Sequence, residues 1–251
     1  MNVRITGYLI WAVILLWSNS VVSQQNPHGQ ISLTSLPEPY PFLVRDVLVH
    51  DELGLTTRQR QAVKALNDEL DGALWSMRNK SPQHITQTLR ATTEKSRERL
   101  ASILTRQQQQ RLTQIELWTL GMKSLLRDDV AEKLNLSEKQ AEQIRETLRE
   151  TQDAINELSK RLQAGESRES LEQEARTLRT AEQKEIVATL TSRQRREWLA
   201  ILGEQIDASQ LGRVKFRAPE LDGRDGWINS PPLTIQQLKG KVVALHFYAF
   251  G

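Results

Sequence analysis

The chain has 251 residues, of which 38 % are hydrophobic, 26 % charged and 5 % aromatic, and its formal net charge is +3. The two signs are interleaved, so the small positive excess speaks against a nucleic-acid partner. There is no cysteine at all, which excludes disulfides, thiolate metal sites and thiol chemistry within these residues.

Residues 1–23 carry Arg4 and then a ten-residue apolar stretch over 8–17. That stretch is too short to span a bilayer comfortably. Val21, Val22 and Ser23 offer small residues where a signal peptidase reads. The segment reads as a secretory signal cleaved after Ser23, the alternative being an uncleaved anchor. Both place the body of the protein outside the cytoplasm, secreted or periplasmic. Residues 24–44 hold Pro27, Pro37, Pro39 and Pro41 and read as a proline-rich linker or extended arm.

From 45 to 207 the composition shifts to Glu, Gln, Arg, Leu and Ala, all good helix formers. Val63, Leu66, Leu70, Ala73 and Met77 recur at 3-4 spacing, as do Ala141, Ile144, Leu148, Thr151, Ile155, Leu158 and Leu162. One apolar stripe per helix predicts long antiparallel helices packed along a seam. Four short repeats punctuate this region. They start at Leu55 (LTTRQ), Leu104 (LTRQQ), Leu136 (LSEKQ) and Leu190 (LTSRQ). Each places a hydroxyl (Thr56, Thr105, Ser137, Thr191) three residues before a glutamine (Gln59, Gln108, Gln140, Gln194), the spacing of a helix capping box. At Leu104 and Leu190 the preceding segment is already helical in pattern, so the box marks either a kink between two helices or a point inside one.

The four repeats fall into two pairs, 55 with 104 and 136 with 190, and imply a duplicated unit over roughly 47–120 and 130–203. Each unit is expected to contain a long helix, a return helix and a tail helix, with Arg127, Asp128 and Asp129 at the join. The recurrent Leu-[Ser/Thr]-x-x-Gln motif on Gln- and Arg-rich helices resembles the periplasmic Spy/CpxP family over about 160 residues. That resemblance implies a non-enzymatic chaperone or stress sensor that binds protein clients, with a homodimer formed through the helical module.

Beyond 207 the chemistry changes. Pro219, Gly223, Gly226, Pro231, Pro232 and Gly240 break the helical pattern, Thr234 caps an expected helical turn over 234–238, and 242–250 is a nearly continuous apolar run. Such a run reads as a strand buried on both faces of a sheet. Ala218-Pro219-Glu220-Leu221, with Leu238 and Gly240-Lys241-Val242-Val243 through Phe247-Tyr248, resembles the opening of thioredoxin-like proteins of the TlpA/redoxin type. The expected fold class is therefore mainly α: a duplicated helix-hairpin module over 45–207, then, over 208–251, the first elements of an α/β thioredoxin-like domain. The resemblance implies a thiol–disulfide oxidoreductase whose redox Cys or Sec follows residue 251. Three explanations of the stopping point stay open: a fragment or frameshift, a decayed thioredoxin part, or a UGA codon for selenocysteine taken as a stop.

No other chemistry stands out. His28, His50, His84 and His246 have no partner at ligand spacing. Trp75, Trp118 and Trp198 lie in helical patterns and read as packing residues. Glu146, Glu150 and Asp153 beside Arg145 and Arg149, like the run 193–196, read as solvated helix faces. No catalytic, metal-binding or cofactor-binding residue and no cofactor is expected within the 251 residues, and the partners expected are protein clients or a redox partner.

Overall fold

The computed structural model describes residues 33, 36, 38–77, 80–212, 227 and 230–244. The expected signal segment, the start of the proline-rich segment and residues 213–226 lie outside them. The described part is mainly helical, without a strand. In chain order the helices are α1 (Tyr40–Leu43), α2 (Val47–Glu52), α3 (Thr57–Ser76), α4 (Pro82–Ile103), α5 (Arg106–Leu120), α6 (Asp128–Leu134), α7 (Glu138–Gln163), α8 (Arg168–Thr189) and α9 (Ser192–Leu202); a 3-10 turn, Gly121–Leu126, links α5 to α6. No described helix is long and apolar enough to cross a membrane.

The duplication is visible element by element. A short helix (α2 or α6) ends in a left-handed residue, Gly54 at φ 58° or Asn135 at φ 48°. The next amide folds back on the helix: Leu55 N–H donates to the His50 carbonyl, and Leu136 N–H to that of Ala131 (3.1 and 3.0 Å). That closes the helix end and aims the chain into the motif. A long helix (α3 or α7), its return partner (α4 or α8) and a tail helix (α5 or α9) follow. The chain does break at the second motif of each pair: Leu104 and Leu190 adopt extended geometry, with ψ of 144° and 140°, and a new helix starts at once.

The glutamines do more than cap. Gln59 Oε1 accepts from Thr56 N–H (3.0 Å), while Gln59 Nε2 donates to the Ile103 carbonyl (3.0 Å) and to Gln108 Oε1 (2.7 Å). Gln108 reciprocates: its Oε1 accepts from Thr105 N–H (3.0 Å), and its Nε2 donates to the Leu53 carbonyl (3.1 Å) and to Gln59 Oε1 (3.3 Å). The second pair repeats this. Gln140 donates to the Thr189 carbonyl and Gln194 Oε1 (2.8 and 2.9 Å); Gln194 donates to the Leu134 carbonyl and Gln140 Oε1 (3.3 and 3.1 Å). Each primary amide thereby uses both N–H bonds and both oxygen lone pairs. Four helix ends, two N-terminal and two C-terminal, meet in one joint, so the joint fixes where each hairpin closes. Glutamate would cap equally well but has no N–H to donate to the carbonyls or to the partner.

Two cores meet at α5. Leu112 and Ile115 belong to the first core with Leu66, Leu70, Leu89 and Leu104; Leu117 and Trp118 belong to the second with Ile144, Ile186, Leu190 and Trp198. Both tryptophans are packing residues, as expected. Their indole N–H groups donate to the Leu202 carbonyl (3.0 Å) and to Ser124 Oγ (3.3 Å). A third, small cluster of Leu158, Leu171 and Ala175 holds the outer part of the α7–α8 hairpin. The expected stripe on α3 shifts by one residue at its end, where Leu74 is buried and Ala73 exposed.

Two expectations are corrected at the module's edges. The last part of the proline-rich segment is not an extended arm: Tyr40–Leu43 is a buried helix, and Leu33 and Val44 join the first core. Apolar residues among the prolines supply the burial that a linker lacks. At the other end, Leu211 is buried in the first core and Gly212 N–H donates to Asp46 Oδ2 (2.6 Å), so the packed chain runs past 207 to 212. The turn expected at Thr234 is present, with Gln237 N–H on Thr234 Oγ1 (3.2 Å). The expected strand is not seen where the chain is described: Val242–Ala244 has no strand geometry and Val242 is fully exposed. A strand needs a partner strand for its amides and carbonyls; the remainder of that apolar run, 245–250, lies outside the described residues.

Candidate functional site

The middle of α4, the end of α5, the 3-10 turn and the start of α6 leave an open cleft of about 600 Å³ at the junction of the two units. Arg90, Thr93 and Arg97 line it from α4, spaced so that one helix face presents all three. Its floor is Glu116, a carboxylate 2 % exposed in the apolar stretch Ile115–Thr119 of α5. Arg97 Nη2 reaches both carboxylate oxygens (2.6 and 2.7 Å), and Arg127 Nη1 reaches Oε2 (2.8 Å). A carboxylate this deep is stable only when its lone pairs are met by such charge-assisted bonds.

Each arginine is held in turn by a second group. The Arg97 guanidinium lies 4.0 Å above the centre of the Tyr40 ring, a cation–π contact. Arg127 makes two further bonds to Asp129 (2.6 Å each), and that pairing holds its guanidinium above the usual range and the Asp129 carboxyl below it. Because Arg127 immediately precedes α6, Glu116 ties the first hairpin to the start of the second unit. Tyr40 is buried, which pushes its phenol up to about 12.

Two further ionisable groups border the cleft under strain of burial. Burial, then the nearby Glu116, raises Glu38. Burial, then repulsion from Arg179, lowers Lys123, whose other charged neighbour is the buried Glu182. Glu182 is itself raised by burial, although Arg179 pairs with it at 3.0 Å. Arg90, Arg97, Lys123 and Arg127 face Glu38, Glu94, Glu116 and Asp128 across the lining, so the cleft is charge-balanced. It offers both donors and acceptors to a polar chain and no net field for a polyanion.

Of the histidines, His50 is bonded through Nε2 to the Val44 carbonyl (2.8 Å) and His84 is exposed; His28 and His246 lie outside the described residues. Among the described residues no group of His, Asp and Glu could hold a metal ion. Arg145 and Arg149 pair with Glu142 and Glu146 on the solvent side. The run 193–196 is solvated at Arg193 and Arg196, but Gln194 within it is buried in the joint. Sequence reasoning passed over Glu116 and Arg97 and placed Arg127 only at the join of the two units; the paired residues lie 19 and 11 positions apart. The available signal was one glutamate inside the apolar stretch 115–120. No family model, no curated protein and no solved structure matches the chain.

Proposed function

We propose that the helical module is a protein-binding scaffold of the kind the Spy/CpxP resemblance implies, acting outside the cytoplasm and without chemistry of its own. The observation that carries this reading is the charge-balanced cleft of about 600 Å³ between α4, the end of α5, the 3-10 turn and the start of α6, with Glu116 clamped as its floor. A partly unfolded polypeptide carries carbonyls, amides and side chains of both signs, and such a lining meets all of them. The secreted or periplasmic location rests on the N-terminal signal pattern. The test is suppression of light scattering by a reduced, unfolding client protein at equal molar ratio. Full-length chain is expected to delay aggregation, and the double variant Arg90→Glu/Lys123→Glu to do so less. A scattering curve unchanged by the full-length chain overturns the proposal.

A second reading is thiol–disulfide exchange by a thioredoxin-like protein to which this chain contributes the opening segment. It is favoured by the threonine-capped turn at Thr234, followed by Gly240 at φ 83°, the order that the TlpA/redoxin resemblance implies. Insulin reduction by protein purified from its native source tests it, and native protein without reductase activity ends it.

A further inference from the structure

A fifth copy of the motif, Leu233-Thr234-Ile235-Gln236-Gln237, stands outside the two paired units. Its box is already formed: Thr234 N–H donates to Gln237 Oε1 (2.8 Å) and Gln237 N–H to Thr234 Oγ1 (3.2 Å). In both internal joints the same box presents the glutamine amide to a second glutamine. Gln237 is exposed, and its Nε2 bonds to nothing among the described residues. We propose that Leu233–Gln237 is half of an intermolecular joint, completed by the same segment of a second copy of this chain.

Three observations support that occupant. A joint consists of two copies of one motif related by an approximate twofold, so a single motif can close on itself only through a true twofold between chains. The carbonyls that each joint uses lie two or three residues before the hydroxyl residue, at Leu53, Ile103, Leu134 and Thr189. The equivalent positions here are Pro231 and Pro232, both exposed. The motif leucine is buried at Leu55, Leu104 and Leu190 and half-buried at Leu136, as it is at Leu233, and Val242 is fully exposed. Pairing of two copies would cover this apolar surface.

Because the chain has no cysteine, a single Gln236→Cys substitution reports contacts between copies only. Full-length Gln236→Cys protein is expected to give a covalent dimer with a short bismaleimide, and unlabelled wild type a dimer by sedimentation equilibrium. Adding Gln237→Glu keeps the Thr234 box but sets two carboxylates against each other; dimer yield is expected to fall about tenfold. The helical circular dichroism melt should not change, since Gln237 lies outside the helical cores. A strictly monomeric chain at every concentration overturns the proposal, and so does a dimer that Gln237→Glu leaves intact.

Discussion

At the scale of the residue, the side chain that matters most is the motif glutamine. Its carbonyl oxygen and amide nitrogen are nearly the same size, yet they do opposite work: the oxygen closes its own helix start, and the nitrogen closes the end of another helix. Gln194 is the most enclosed of the four, at 8 % exposure. In Gln194→Glu the cap survives, but the donors to the Leu134 carbonyl and to Gln140 Oε1 disappear and a carboxylate is buried in their place. Lost bonds of this kind leave acceptors unsatisfied, each costing about 1–3 kcal/mol. The urea midpoint of Gln194→Glu is expected to fall by an amount equivalent to about 2–4 kcal/mol, and part of the loss should return below pH 4, where a protonated glutamate can donate once. A midpoint equal to wild type at pH 7 would mean that the reciprocal amides contribute nothing.

At the scale of the element, the tail helices stop where a left-handed glycine allows it. Gly121 ends α5 at φ 61°, ψ −135°, and Gly203 ends α9 at φ 65°, ψ −149°. Non-glycine residues rarely enter this region. A Cβ on Gly203 would in addition run into the Gln114 side-chain amide. Gln114 can swing aside, so the backbone sets the penalty: Gly203→Ala should cost about 1–3 kcal/mol. Thermal unfolding followed by helical ellipticity checks it. Gly72 is the internal control, because it lies in α3 with open space around it, and alanine there should leave stability unchanged or raise it.

At the scale of the whole molecule, segments distant in sequence are fastened across the two units. Asp46 accepts from Leu48 N–H and from Gly212 N–H, so one buried carboxylate joins the start of α2 to the chain leaving α9. Tyr40 packs α1 against Arg97 at the edge of the cleft. Its phenol, raised by burial from 10 to about 12, links global stability to alkaline pH. Below pH 10 both folded and unfolded chains keep the proton. Between pH 10 and 12 the unfolded chain loses it while the folded chain still holds it, so unfolding is favoured progressively. The contribution is present in full below pH 10 and falls by about 2–3 kcal/mol as pH rises through 12. Lysines titrate in the same range, so the comparison is with Tyr40→Phe, whose stability should decline less steeply. Equal slopes for the two proteins would show that the phenol stays accessible in the fold.

Local patterns carried the helices, their starts and the duplication. The hydroxyl-to-glutamine spacing acts within one turn, and the apolar stripes repeat every three or four residues, so both can be read from neighbours alone. Tertiary structure decided which motif faces which and that their glutamines interlock, because residues 49 or 54 apart meet only after a hairpin has closed. It also decided that Arg97 and Arg127 converge on Glu116, and that residues 40–44 and 211–212 belong to the packed body. Burial depends on what the rest of the chain brings alongside, and no stretch of a few residues encodes that by itself.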